Sequence, residues 1–150
     1  MTLDETDRAL LRLLQIYAAQ PTGRLGDKLG LSQPATWRRI RRLQDAGVIA
    51  GQRLTLDAEK LGFGVTVFLG VKLATKGRVS LEDFERAVSA IAEVQSVEHV
   101  LGLYDYRLRV VARDLADFER VLRRRIMTMR GVGNVEANIM LSEEKLAGPL

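Results

Sequence analysis

Hydrophobic positions in the first fifty residues recur at helical spacing. Between Leu3 and Ala19, a broad apolar face is made by Leu10, Leu14 and Tyr17, flanked by Leu11, Leu13 and Ile16. Asp4 stands at the capping position, Asp7 complements the helix dipole in the first turn, and Pro21 breaks the helix. Leu25 and Leu29 mark a short second helix that ends at Gly30. A third runs from Ser32, a good N-cap with Pro34 in the first turn, to a left-handed stop at Gly47. At about 100° per residue, Thr36, Ile40 and Leu43 share its inward face. Pro34, Ala35, Arg38 and Arg42 lie opposite, Arg39 and Arg41 sit on the flanks, and Trp37 borders the core.

After Gly47 the period becomes two. Leu54 and Leu56 alternate with polar residues and predict a short strand. Val65, Val67, Leu69, Val71 and Leu73 share one face of a long strand over 63–74. An internal repeat then organises the second half: Leu81-Glu-Asp-Phe-Glu-Arg86 recurs 34 residues later as Leu115-Ala-Asp-Phe-Glu-Arg120. Each copy follows a candidate cap, Ser80 or Asp114, and continues with helical apolar spacing: Phe84, Val88, Ile91 and Phe118, Leu122, Ile126. Strands are predicted over 96–101, 106–113 and 132–141, so the order is β-α-β-β-α-β, a ferredoxin-like pattern. The expected fold is α+β: an N-terminal three-helix helix-turn-helix domain over 1–51, a linker with a short strand over 52–62, and a C-terminal ferredoxin-like βαββαβ domain over 63–150. Two helices would cover one sheet face. The other carries Phe68 and Val111 and needs a cover of its own.

Charge sharpens this picture. The net charge is +4, but from Arg24 to Arg53 seven Lys or Arg face only two acids, so the basic excess is concentrated on the predicted helix-turn-helix. Such a patch points to a polyanion, most often nucleic acid. An amphipathic helix with arginine on its outer face and small residues at its start suits the major groove of double-stranded DNA. The candidate DNA-contacting residues are Ser32, Gln33, Pro34, Trp37, Arg38, Arg41 and Arg42. The five arginines from Arg120 to Arg130 read more simply as a solvated helix face, with Glu119 and Arg123 spaced to pair.

Other chemistry has little material. Cysteine is absent and His99 is the single histidine, so a transition-metal site or a Ser-His-Asp arrangement is not expected, and no glycine-rich phosphate loop appears. No catalytic residue, metal or cofactor is expected. The hydrophobic fraction of 47% is enough for packed cores. No run of 18 apolar residues occurs, and the start of the chain is acidic, so neither a membrane partner nor a secretory signal is expected and a cytoplasmic location is permitted.

Several motifs, in order and at matching separations, resemble the Lrp/AsnC (feast/famine) family of prokaryotic transcription regulators. They are Leu3-Asp4 with Asp7 and Leu10-Leu11, Leu29-Gly30-Leu31-Ser32, the stretch from Trp37 to Leu43, Gly47-Val48-Ile49, Leu61-Gly62 and Gly102-Leu-Tyr-Asp-Tyr106. The resemblance implies regulators that bind palindromic DNA and form homodimers through the C-terminal domain, often assembled into octameric rings. It also implies a small-molecule effector, typically an amino acid, bound between dimers near the Gly-x-Tyr-Asp turn. Carried onto this chain, the effector site comprises Gly102, Leu103, Tyr104, Asp105, Val135 and Ala137. Here the chain departs from the family: Leu103 stands where an acid is usual, and Val135 to Asn138 replaces a strand rich in threonine and serine. A less polar pocket is therefore expected, with Asp105 available for an ammonium group. The competing reading of Tyr104-Asp105 is a purely structural β-turn.

Two other functions share the architecture. Sirohaem decarboxylases resemble these regulators, but their DNA-reading helices are expected to be degraded and their clefts basic or histidine-lined. The third helix here is intact and arginine-rich. An effector-independent DNA-binding or assembly protein is the other alternative.

Overall fold

The structure, a computed structural model, describes residues 2–74 and 78–144. The chain divides into two compact units near residue 55. In the first, α1 (Glu5–Tyr17), α2 (Thr22–Asp27) and α3 (Gln33–Asp45) pack around Leu10, Leu25 and Leu43. Asp4 and Asp7 form a reciprocal capping box that starts α1 one residue after Asp4, so the helix is shorter at both ends than its apolar pattern suggests. Ser32 Oγ accepts from the Ala35 N–H at 3.4 Å, Pro34 sits in the first turn of α3, and Gly30 and Gly47 both take the left-handed conformation. Gly26 lets α2 and α3 approach closely. A Cβ there would collide with Thr36 Oγ1 and lie 2.7 Å from the Leu31 carbonyl oxygen.

The second unit is a four-stranded antiparallel sheet in the order β2-β3-β1-β4, from β1 (Val65–Leu73), β2 (Val94–His99), β3 (Tyr106–Ala112) and β4 (Val132–Ile139). Two helical segments, α4 (Arg78–Ser89) and α5 (Leu115–Val121), supply the cover. One face of β1 and β3, with Val67, Leu69, Val71, Tyr106, Leu108 and Val110 fully buried, packs against Phe84, Val88, Phe118 and Val121 from the helices. α5 runs into a π-helical turn at Leu122–Ile126, where the Met127 N–H reaches the Leu122 carbonyl. Val121, three residues after Phe118 and outside the predicted stripe, is buried together with Ile126.

Two expectations need correction. α4 begins two residues before Ser80, so Ser80 is inside the helix and not at its cap; Asp114 does cap α5, accepting from the Asp117 N–H at 2.7 Å. The predicted strand at Leu54 and Leu56 is absent. Those leucines are 89% and 66% exposed, and the segment pairs with no described strand. An extended segment without a partner has no ladder to join. On the sheet face away from the helices, Val111 is buried and Phe68 half-buried, with the Arg109 guanidinium 5.9 Å above the Phe68 ring.

Candidate nucleic-acid interface

Helical periodicity sorts the side chains of α3. Thr36 and Leu43 are fully buried, Ile40 partly, so the inward face is the one its spacing predicts. The outward face presents Gln33, Pro34, Trp37, Arg38 and Arg41, all exposed. Gln33, Pro34, Trp37 and Arg38 line a shallow recess with Thr22 at the start of α2. Trp37 is the correction here: it does not border the core but stands 58% exposed beside Arg38. The 100° wheel leaves it at the margin of the apolar arc, and the small unit has no room there for an indole. An exposed tryptophan next to a cation is a costly surface to leave in water unless something else covers it.

The arginines of α3 are not equivalent. Arg38 has no hydrogen bond or ion pair to any described residue. Arg41 is exposed and pairs with Asp45 one turn on, Nε to Oδ1 at 3.3 Å. Arg39 donates through Nη1 to Asp4 Oδ2 at 2.7 Å and to Asp7 Oδ1 at 2.8 Å. Those bonds hold the Asp4 carboxyl below the usual carboxylate range and raise the Arg39 guanidinium. Arg42, expected to face wholly outward, instead gives Nη2 to Asp7 Oδ2 at 2.5 Å. Asp7 therefore does more than complement a dipole: it joins α1 to α3. Its sequence signal, an acid in a first turn, is too common to reveal that. Ser32 is engaged as the helix cap, with its Oγ on the Ala35 N–H.

In the second unit, the candidate effector residues fall into two groups. Gly102 and Leu103 are exposed in the β2–β3 connection, Leu103 at 76%. Tyr104 lies across Gly70, whose hypothetical Cβ would sit 2.7 Å from the ring, and its hydroxyl bonds Glu136 on β4. That contact raises the Tyr104 hydroxyl and lowers the Glu136 carboxyl. Val135 and Ala137 pair with Val71 and Leu69 and so point to the opposite, helix-covered face. Within one chain the structure does not bring them beside Tyr104. Asp105, expected to be available for a ligand, accepts the Leu73 N–H at 2.9 Å and lies 3.8 Å from Lys72 Nζ. Nearby, Tyr106 donates to Glu85 Oε1 at 2.6 Å and stacks on His99 at 4.8 Å; burial first, then that carboxylate, pushes its hydroxyl far up.

Both units are similar to parts of known proteins. Residues 3–44 match the AsnC-type helix-turn-helix domain, and residues 66–150 match the Lrp/AsnC ligand binding domain. The transcriptional regulator AzlB of Bacillus subtilis is 32% identical, over 95% of this chain and 91% of its own. A proline dehydrogenase transcriptional activator of Rhizobium radiobacter is also 32% identical, over 97% and 94%. Among solved structures, a transcriptional regulator of Neisseria meningitidis in complex with L-Met superposes with a TM-score of 0.94 at 28% identity, covering 99% of this chain and 96% of that one. An AsnC family regulator of Agrobacterium tumefaciens gives 0.91 at 32% identity, with the same coverage. The chain belongs to the Lrp/AsnC family. It is a DNA-binding transcriptional regulator with a C-terminal ligand-binding domain, and this sets aside the decarboxylase reading. No helix among the described residues is long and apolar enough to cross a membrane.

Proposed function

We propose that the outer face of α3 is inserted into the major groove of double-stranded DNA, with Gln33, Pro34 and Trp37 setting the fit and Arg38 reading base edges. The observation that carries this is the exposed Trp37 beside an arginine that no described residue engages. An unpartnered guanidinium keeps its planar fork for guanine O6 and N7. Arg38→Ala should weaken specific binding by about 1–3 kcal/mol and relax sequence preference at one position. Equal loss on specific and random duplexes would make it a phosphate contact. Trp37 is the only tryptophan, so its emission should change on adding the specific duplex. Constant emission and unchanged binding by Arg38→Ala would end this assignment.

We further propose that the chain works as a homodimer, built into rings such as octamers, with an effector held near residues 102–106 where copies meet. Support comes from the exposed Leu101, Leu103, Leu54 and Leu56, apolar surface that a second copy would cover. The apolar lining favours an amino acid with an apolar side chain, in keeping with the L-Met complex of the Neisseria regulator. At 100 times its dissociation constant, such a ligand stabilises the fold by about 2.7 kcal/mol. Thermal-shift screening should find leucine-, methionine- or aromatic-type hits, each lost in Leu103→Asp. Stabilisation by asparagine or glutamine instead would contradict the apolar pocket. Sedimentation of the full chain as a monomer at micromolar concentration would contradict the dimer.

A further inference from the structure

Asp7 of α1 is fully buried, and its carboxylate faces α3. Oδ1 accepts from Arg39; Oδ2 accepts from Arg42 and, at 3.2 Å, from the Asp4 N–H. The two arginines are held differently. Arg39 spans two carboxylates and has 28% of its side chain exposed. Arg42 meets one carboxylate, through Nη2 alone, and its side chain is 49% exposed. Its Nε and Nη1 make no hydrogen bond to a described residue. In sequence it is four residues after Arg38 and eight after Pro34, so it continues their row along the helix. One edge of a planar guanidinium is thus fixed inside the protein while the rest is presented beside the outer face of α3. A guanidinium can serve a carboxylate on one edge and a phosphate on another, which a lysine ammonium cannot do with fixed geometry.

Building on the reading of α3 as the DNA-contacting helix, we infer that Asp7 is a positioning residue for DNA binding, clamping Arg42 so that its free edge meets a backbone phosphate beside the groove. No DNA atom would touch Asp7. Ordering the long Arg42 side chain is then completed at folding and not repeated when DNA arrives. Simple charge counting predicts the opposite sign for the decisive variant. Removing an acid makes a protein of net charge +4 more positive and should strengthen its hold on a polyanion.

The test uses the full chain and two labelled duplexes, one selected by the wild-type protein from a random pool and one of arbitrary sequence. Asp7→Asn should weaken binding to both by about tenfold, against the charge trend. Arg42→Lys, which keeps the charge, should weaken it comparably, and the double variant should be no weaker than either single one. Arg42→Gln should lower the slope of log affinity against log salt by about 0.9, the loss of one phosphate contact. Tighter binding by Asp7→Asn would show that Asp7 competes with DNA for Arg42 and would overturn the inference. Wild-type affinity in Arg42→Lys, or an unchanged salt slope in Arg42→Gln, would overturn it equally. Should Asp7→Asn fail to fold by circular dichroism, the two Arg42 variants decide alone. If Arg38→Ala and Trp37→Ala leave binding intact, the reading of α3 fails and takes this inference with it. If those two weaken binding while the Asp7 and Arg42 variants do not, only the positioning role fails.

Discussion

The two units of this chain are held together by different physics. Among the described residues, the cluster between the sheet and its helices buries fourteen hydrophobic side chains, including a continuous layer from β1 and β3. The helix-turn-helix unit buries three, and an open groove of about 550 Å³ lies alongside Leu3, Leu11, Leu14, Ile40, Val48 and Ile49. Seven partly buried hydrophobics pack against that thin core, and polar contacts add to it: the Asp4–Asp7 capping box and the bonds from Arg39 and Arg42. A DNA-reading unit must keep one helix face exposed and cationic, and in a domain this small that face is subtracted from the apolar burial. The same arginines that supply positive charge are recruited to stitch α1 to α3. The sheet unit has no such conflict.

The largest effect should come from the sheet. Leu108→Ala, at a fully buried site on β3, removes a side chain from the middle of the layer and should cost about 2–5 kcal/mol, read as lost amide protection in β1 and β3. Loss of protection in α1–α3 instead would break the distinction between the units. Next comes Asp7→Ala in the absence of DNA. A carboxylate buried between two partly exposed arginines should cost about 3 kcal/mol, the low end for a broken buried pair, because both arginines regain water. Hydrogen exchange should report it in α1 and α3 only. Gly26→Ala should cost about 1–3 kcal/mol even though alanine is the better helix former, because the new Cβ meets the Leu31 backbone carbonyl, which cannot swing aside.

A smaller contrast appears on acidification. Asp4 is held below its ordinary value, chiefly by Arg39, so its contribution is complete above an unfolded pKa of about 3.9 and is lost as pH falls through the lowered folded value. Asp117 in the first turn of α5 behaves likewise, held down first by the Arg113 N–H and then by the Arg120 and Arg113 side chains. The two units should nevertheless part company. Below about pH 4, protection in α1–α3 should fade before that in β1 and β3, whose apolar layer does not titrate. Simultaneous loss would show that polar stitching is no more important in one unit than in the other.

Much was legible in the sequence because it is encoded locally. The caps at Asp4, Ser32 and Asp114, the left-handed glycines at 30 and 47, and the alternation from Val65 to Leu73 all act within a few residues of themselves. The repeat of Leu81–Arg86 at Leu115–Arg120 placed two helices, and with them the order of strands. Neighbours from distant parts of the chain settled the rest. Periodicity put Trp37 at a margin, and only the small size of the three-helix core leaves it outside. It put Arg42 on the outer face, and only the arrival of α1 gives Asp7 a claim on it. Leu54 and Leu56 have the pattern of a strand, but a strand exists through its partner's carbonyls and N–H groups, and none of the described residues provides them. Tyr104 over Gly70 and Asp105 on the Leu73 N–H, 32 residues apart in the latter pair, depend on a register between distant strands, which no local pattern contains. Side-chain periodicity is a property of one segment. Which cation meets which carboxylate is a property of two, and is decided only when they pack.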